Sequence, residues 1–166
     1  MDNEFFMKKA LEEAEQALSL GQFPVGCVVV YENRVLVTGA RMHSGPDSQN
    51  ELDHAEMAAL RRLVSLEESI DRDKLALFST LEPCLMCYAA IILNGIKKIV
   101  YAYEDVMGGG TNIALDRLNS LYRDMRITVI PHVLREKSLM LLREFFSDPD
   151  NDYLRGSLLA EYTLRG

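Results

Sequence analysis

Apolar residues recur along this chain in two alternating patterns, one typical of helices and one typical of strands. Residues 3–20 repeat apolar positions at helical spacing and end at Gly21. Runs of about four to eight apolar and β-branched residues predict strands. These strand segments are Val25–Tyr31, Val35–Thr38, Leu75–Ser79, Lys98–Tyr103 and Ile127–Ile130. The other helical segments are His54–Leu66, Cys84–Leu93, Ile113–Leu121, Leu134–Phe146 and a weaker stretch that ends at Leu164.

The order of these segments predicts an α/β fold in three layers, α/β/α. A turn at Asn33 joins the first two strands, which predicts an antiparallel N-terminal hairpin. The later strands alternate with helices, and this order favours parallel strands with helices on both faces of the sheet. The expected sheet is therefore five-stranded and mixed, with the hairpin antiparallel and the remaining strands parallel. Ser, Gly, Pro, Asp and Asn predict a loop over Arg41–Asp53.

A single domain is predicted for residues 1–166. The chain shows no internal repeat and no linker long enough to separate two domains. Its core is expected over residues 3–147. Residues 148–166 are expected to form a C-terminal helical extension, and the first part of this extension is acidic.

The chain carries a formal net charge of −7 at pH 7 and has a pI near 5.0. Nucleic-acid binding draws much of its affinity from neutralised phosphates, so this charge gives no support to a large nucleic-acid footprint. No apolar run approaches the roughly eighteen residues of a membrane span, and the acidic N-terminus does not resemble a signal peptide. We therefore expect no membrane association and a cytoplasmic location. Three cysteines, two of them spaced as C-x-x-C, favour metal or redox chemistry over a disulfide framework.

The most informative motifs are H-A-E, which begins at His54, and P-C-L-M-C, which contains Cys84 and Cys87. His54, Cys84 and Cys87 supply three ligands for one zinc ion, and a fourth position stays open for a water that zinc activates. Glu56 follows His54 by two residues and is the predicted proton carrier. This spacing, H-x-E followed by P-C-x-x-C, is the known signature of zinc-dependent nucleobase deaminases.

Two other chemistries compete with a catalytic zinc site. A structural zinc site would need a fourth protein ligand, for which Cys27, His43 and His132 are the remaining soft candidates. Cys27 lies within an apolar strand segment, where a free cysteine usually packs as a small hydrophobic residue. A redox C-x-x-C would have no use for the upstream H-x-E. We favour the catalytic site because ligand types, spacing and placement at two helix starts agree.

Four blocks of this sequence resemble the cytidine deaminase superfamily, and they are most similar to its branch of bacterial tRNA adenosine deaminases. The resemblance spans residues 5–146. The matching blocks are Phe23–Val30, His54–Leu60, Ser79–Cys87, and Ile96–Tyr101 with the D-x-x-G-G that begins at Asp105.

The resemblance implies the same three zinc ligands and assigns further roles. Glu56 would move protons from the attacking water to the ring nitrogen and to the leaving amine. The backbone amide of Ala55 would bond the edge of the base, and Val25 would pack on its ring. Members of the superfamily are usually dimers or larger, so a homodimer is expected.

The chain departs from the family pattern around the substrate. The family has an Asn in a G-x-N strand end, whereas Gly39 is followed here by an alanine and Arg41. Counted back from the zinc histidine, His43 takes the place of that Asn. The family has two small residues after the second cysteine, whereas this chain has Tyr88 and an alanine there. Arg41, His43 and Tyr88 are therefore candidate substrate contacts. Alternatively, Arg41 is a solvated loop cation, His43 is an exposed loop histidine, and Tyr88 packs in the core.

Together these features predict a zinc-dependent hydrolytic deaminase that removes an exocyclic amine from a nucleobase, nucleoside or nucleotide. A small amino-purine or amino-pyrimidine is the favoured substrate. The first alternative is a tRNA wobble adenosine deaminase that converts adenosine to inosine. The second is a zinc-stabilised interaction module or a silent partner subunit, and either of these would have no need of Glu56.

Overall fold

The computed structural model describes residues 1–45, 48, 50–67 and 69–166. Its strands are β1 Gly26–Tyr31, β2 Arg34–Ala40, β3 Leu75–Leu81, β4 Lys98–Tyr103 and β5 Thr128–Ile130. They form one sheet in the order β2-β1-β3-β4-β5. β1 is antiparallel to both β2 and β3, whereas β3, β4 and β5 are parallel. The predicted five-stranded mixed sheet is confirmed.

Helices cover both faces of this sheet. They are α1 Asn3–Ser19, α2 Ala55–Val64, α3 Leu85–Leu93, α4 Ser120–Arg123, α5 Arg135–Ser147 and α6 Leu158–Arg165. Successive strand residues point to opposite faces. In β1, Val28 belongs to the core cluster that contains Phe6 of α1, while Val29 belongs to the cluster that contains Leu60 of α2 and Ile91 of α3. The predicted three-layer arrangement is confirmed.

Two glycines let helices approach the sheet closely enough to position the site. A Cβ on Gly39 of β2 would overlap the carbonyl oxygen of Ala55 in α2. A Cβ on Gly26 of β1 would overlap the carbonyl oxygen of Ala10 in α1. Only glycine permits backbones to meet at this distance. The start of α2, with His54 before it, is therefore held against the end of β2.

The predicted helix over Ile113–Leu121 is wrong. That region instead contains a 3₁₀ turn at Leu115–Arg117 and the four-residue helix α4. Ile113 and Leu115 are partly buried, whereas residues 116–121 are exposed. Leu115, Leu118 and Leu121 recur at helical spacing, but Leu118 and Leu121 are 37% and 61% exposed. Helical spacing does not hold a long helix here because little of that face is buried. β4 and β5 are parallel as predicted, but no long helix crosses between them.

The predicted loop at Arg41–Asp53 is described only in part, because Pro46, Asp47 and Gln49 lie outside the described residues, as does Glu68. The described loop residues form no helix or strand. Across the described part of the chain, no helix is long and apolar enough to cross a membrane.

The C-terminal extension folds back onto the sheet and α5. Leu159 and Thr163 of α6 are fully buried. The Nε of Arg143 in α5 donates a hydrogen bond to the carbonyl oxygen of Thr163 at 3.1 Å. Tyr162 donates its hydroxyl to Glu104 Oε1 at 2.7 Å, and Arg135 donates to both oxygens of the same carboxylate. Glu104 therefore links β4, α5 and α6.

Glu104→Gln is expected to lower the melting temperature at neutral pH. Burial alone would raise the pKa of Glu104, but bonds from Arg135 and Tyr162 lower it from 4.5 to about 2. Because the folded-state pKa is the lower one, the carboxylate stabilises the fold above about pH 4.5 and loses that effect as the pH falls toward 2. The difference in melting temperature between the two proteins should narrow over that range. Thermal denaturation from pH 7 to pH 3 tests this, with Glu144→Gln on the exposed side of α5 as the control.

Candidate active site

Three metal-binding side chains meet where α2 and α3 begin. His54 is the N-cap residue of α2, Cys84 is the N-cap residue of α3, and Cys87 lies in the first turn of α3. The His54 Nδ1 lies 3.6 Å from each cysteine sulfur. Tetrahedral zinc, with bonds of about 2.3 Å to sulfur and about 2.05 Å to nitrogen, would separate these atoms by about 3.6 Å. The three donors therefore fit zinc.

The protonation of the cysteines suits metal binding. The pKa of Cys84 falls to about 4, chiefly because the Cys87 thiol donates to its sulfur, with further support from His54. That shared hydrogen bond and burial raise the pKa of Cys87. Thiolate is the form that binds a divalent cation, so the lowered pKa of Cys84 favours metal binding, and binding displaces the proton of Cys87.

Glu56 lies beside the donors in the first turn of α2. Its side chain is buried, and its Oε2 lies 3.6 Å from the Cys87 sulfur. Ser79, at the end of β3, donates its hydroxyl to Glu56 Oε1 at 3.0 Å. Burial raises the pKa of Glu56, which brings it toward the range that suits a group that both accepts and donates protons. Nothing in the sequence marked Ser79 as the partner that orients Glu56.

The candidates for a fourth protein ligand lie elsewhere. Among the described residues, the group of potential metal donors at this site is His54, Cys84 and Cys87. Cys27 is buried in the core, and burial raises the pKa of its thiol. His43 and His132 are not members of the donor group either. Three protein donors leave one position of a tetrahedral metal open, as in catalytic zinc sites.

A cavity of about 180 Å³ opens onto His54, Cys84 and Glu56, with Cys87 buried behind them. Pockets for drug-sized ligands are larger, about 300–1,000 Å³, so this space suits a molecule of about the size of one base. Val25 and Ala55, which the resemblance placed against the ring and at its edge, both line the cavity. Its other apolar lining residues are Phe23, Leu81, Met107, Leu154 and Leu159.

Arg41 also lines the cavity, and it is not a solvated loop cation. Its side chain is only 2% exposed. Its NH1 donates to the Met42 carbonyl at 2.9 Å, and its NH2 donates to the Asn50 carbonyl at 3.0 Å. Its guanidinium lies 5.4 Å from the centroid of the Tyr153 ring. Arg41 thus ties the loop that precedes His54 to the C-terminal extension.

Arg41→Ala is expected to destabilise the protein and to weaken substrate binding together. Loss of charge-assisted bonds to the loop should cost about 1.5–3 kcal/mol in the free energy of unfolding. KM should rise because the same side chain lines the cavity. Chemical denaturation and steady-state kinetics measure the two effects, and Arg126→Ala, at an exposed arginine, is the control. Unchanged stability would contradict the role of Arg41 as a tie between loop and extension.

The structure places the other two predicted substrate contacts outside the cavity lining. The His43 side chain is 58% exposed, and its Nδ1 lies 2.6 Å from Asp53 Oδ2. Asp53 also accepts a bond from Arg61 at 2.6 Å, so this cluster braces the residue that precedes His54. Tyr88 is buried in the core cluster on the α2 and α3 side of the sheet. In the structure, His43 is therefore an exposed loop histidine and Tyr88 is a core tyrosine.

A glycine-rich loop after β4 closes one side of the cavity. Glu82 accepts the backbone N–H of Asp105 at 3.2 Å and the hydroxyl of Thr111 at 2.5 Å. The N–H of Gly110 donates to the Pro83 carbonyl at 2.9 Å. A Cβ on Gly110 would collide with the backbone of Leu85, so the loop can lie on the start of α3 only with glycine here. The D-x-x-G-G motif in the sequence was the signal for this loop.

The C-terminal extension supplies another wall, which sequence reasoning did not assign. Tyr153, Leu154 and Leu159 line the cavity. The Tyr153 hydroxyl donates to Glu51 Oε2 at 2.9 Å, and its ring centroid lies 5.2 Å from that of Phe23. The sequence indicated an acidic, helical extension here, and neither feature indicated a pocket. The extension therefore belongs to the site.

A metal site with an open position and an adjacent proton carrier is the arrangement of zinc-dependent hydrolytic enzymes. Within that class, this chain belongs to the cytidine and deoxycytidylate deaminase family, whose zinc-binding region matches residues 1–103. It is 30% identical over 155 residues to the tRNA-specific adenosine deaminase of Aquifex aeolicus (strain VF5), covering 93% of this chain and 100% of the relative.

Solved structures of deaminases are similar to this fold. One comes from work on A-to-I editing by tRNA:A34 deaminases at the wobble position of transfer RNA. It has a TM-score of 0.67 and 27% identity, and the match covers 83% of this chain and 99% of that one. Another is a guanine deaminase from Bacillus subtilis, with a TM-score of 0.55 and 30% identity over 63% of this chain and 66% of that one.

The protein is a zinc-dependent hydrolytic nucleobase deaminase. When bound, zinc lowers the pKa of a coordinated water to about 7, which makes hydrolysis possible near neutral pH. The enzyme assignment replaces the alternatives of an interaction module or a silent subunit, for which a buried carboxylate beside the donors would have no use.

Proposed function

We propose that this protein deaminates a small amino-purine or amino-pyrimidine that is enclosed in its cavity. The observation that carries the proposal is the wall formed by Tyr153, Leu154 and Leu159 of the C-terminal extension. With this wall in place the cavity measures about 180 Å³, which is room for a base rather than for a polynucleotide segment. A net charge of −7 also disfavours a phosphate-rich partner.

In this proposal each residue has one task. His54, Cys84 and Cys87 hold zinc. Val25 packs on the ring, and the N–H of Ala55, which has no acceptor within α2, bonds the edge of the base. Glu56 takes one proton from the attacking water and passes it to the ring nitrogen. It then takes the remaining proton of the added hydroxyl and gives it to the amine, which leaves as ammonia as the C–N bond breaks and the carbonyl forms.

A second candidate is the wobble adenosine of tRNA. The 30% identity to the Aquifex aeolicus tRNA-specific adenosine deaminase, over 93% of this chain, favours it. A flipped nucleotide could enter the cavity only if its flanking nucleotides passed the C-terminal extension. This reading therefore requires the extension to move away from Glu51 and Phe23.

Ammonia release decides between the two candidates. Zinc-loaded protein should be tested with cytosine, adenine and guanine derivatives, and in parallel with tRNA. We expect turnover of a small substrate that changes little between low and moderate salt. Efficient deamination of tRNA alone, with binding that weakens steeply as salt rises, would overturn the proposal and establish the second candidate.

Tyr153→Ala is expected to lower kcat/KM for the small substrate by roughly tenfold, which corresponds to about 1.4 kcal/mol. The ring loses its contacts with Phe23 and Arg41, and the cavity opens to water. Steady-state ammonia release measures the change. Tyr153→Phe keeps the ring and removes only the hydroxyl, so its kcat/KM should lie between those of Tyr153→Ala and the natural protein. Equal activity of all three would show that the extension does not shape the substrate site.

We also propose that the protein is a homodimer. Apolar side chains are exposed on the outer surfaces of α2 and α3, where Val64, Leu85 and Leu93 are each more than half exposed. A second copy would remove this surface from water. Sedimentation equilibrium over a concentration series measures the mass, and a monomer throughout would refute the proposal. A single domain and a cytoplasmic location stay predictions.

A further inference from the structure

The cavity is unusually rich in carboxylates. Besides Glu56, its lining includes Glu51, Glu82 and Asp105, while Arg41 is its one arginine or lysine among the described residues. Two thiolates would cancel the charge of a bound zinc ion. Four carboxyl groups therefore outnumber one arginine in the lining, and that arginine is already paired with Glu51 at 3.4 Å.

Arg41 has little capacity left for an anion. Its NH1 donates to the Met42 carbonyl. Its NH2 donates to the Asn50 carbonyl and also lies within 3.4 Å of Glu51 and Tyr153 oxygens. Strong phosphate recognition by arginine uses two parallel N–H bonds from such nitrogens. Only the Nε of Arg41 lacks a partner among the described residues. Because NH2 is occupied by the loop and the C-terminal extension, Arg41 is poorly placed to form the paired bonds that a phosphate needs.

The carboxylates are held in fixed positions. Asp105 Oδ1 accepts the N–H groups of Met107 at 3.0 Å and Gly108 at 2.9 Å. Burial and neighbouring Glu82 raise the pKa of Asp105, and these backbone bonds oppose the rise. Glu82 is anchored by the same loop, as described above. Such carboxylates offer acceptors to ring N–H and amino groups, and they repel a negatively charged substituent.

We infer that the cavity selects an unphosphorylated base or nucleoside rich in N–H donors and rejects the corresponding nucleotide. This inference rests on the proposed small-molecule function. A phosphate would lose its hydration near carboxylates without gaining a cationic partner. Selection therefore comes from repulsion of the phosphorylated competitor as well as from bonds to the base.

A matched series tests the inference. Zinc-loaded protein is assayed for ammonia release with one base, its nucleoside and its nucleoside 5′-monophosphate. We expect kcat/KM for the monophosphate to be lower than for the better of the other two by about tenfold or more. Comparable values for the monophosphate would overturn the inference and leave the proposed function intact. Turnover of tRNA alone would overturn both.

Neutralising variants separate local repulsion from the net charge of the protein. Asp105→Asn keeps the oxygen that accepts from Met107 and Gly108, and Glu51→Gln keeps an acceptor for Tyr153. Each should narrow the ratio of kcat/KM between the unphosphorylated substrate and the monophosphate. Glu15→Gln, exposed on α1, changes the net charge equally and should leave the ratio unchanged. If all three variants change the ratio alike, or if none does, the cavity carboxylates do not set the selection.

Discussion

Glu56→Gln should retain zinc and the fold but lose turnover by about 10²-fold to 10⁴-fold, the range for removal of a positioned proton carrier. Glutamine has nearly the same shape, and its amide can keep the bond from Ser79, which lies 3.0 Å from Oε1 in the natural protein. It cannot accept and release the protons that hydrolysis moves. Ammonia release, zinc content and circular dichroism measured on the same preparation check the three parts of this result.

Different results for Glu56→Gln would refute different parts of the role assigned to Glu56. Loss of zinc in Glu56→Gln would make Glu56 a metal ligand and would refute its role as a proton carrier. Retained turnover would show that another group moves the protons. Ser79→Ala should lower kcat more than it raises KM, because the substrate does not need to touch Ser79. Ser79→Thr restores the hydroxyl and should recover part of that loss.

Cys84→Ser and Cys87→Ser should each lose zinc and lower the stability of the fold. A ligand that binds only the folded state stabilises it by about 2.7 kcal/mol when present at 100 times its dissociation constant, and this contribution disappears with the metal. The natural protein should show one zinc per chain. A chelator should lower the melting temperature of the natural protein and should not change that of the variants.

Cys27→Ala is the matched control for the cysteine variants. Cys27 is fully buried in the core and is not a member of the donor cluster. Its replacement should therefore leave one zinc per chain and a chelator-sensitive melting temperature. Full zinc retention in both Cys84→Ser and Cys87→Ser would refute the metal site, and zinc loss in Cys27→Ala would mean that the ligand set is wrong.

Local patterns predicted the fold well where burial of an element leaves a regular pattern of apolar residues. The β1 and β3 segments are apolar because both faces of those strands are covered, and helical spacing marked α1 and α5. The prediction failed at Ile113–Leu121, where Leu118 and Leu121 have helical spacing but remain exposed. Its failure shows that spacing does not specify a helix unless tertiary packing buries the apolar face.

Prediction of the site succeeded for chemistry that local sequence dictates. Residues three apart in a first helical turn point the same way, so Cys84 and Cys87 can share a metal wherever the helix lies. It left open whether Arg41 contacts the substrate or is a solvated loop cation, because the burial of Arg41 depends on Asn50 and on Tyr153, which lies 112 residues away. A side chain at a strand end gives no sign of whether a distant segment will cover it.

By itself, the sequence determined the class of chemistry, because the donor types and their spacing at two helix starts admit few other uses than zinc-assisted hydrolysis. It also determined the mixed sheet through the order of its apolar segments. Only the tertiary structure decided the shape and charge of the cavity. Its walls come from the end of β2, the loop after β4 and the C-terminal extension, which are far apart in the chain. Their contacts arise from packing, and no local pattern of residues encodes which of them will meet.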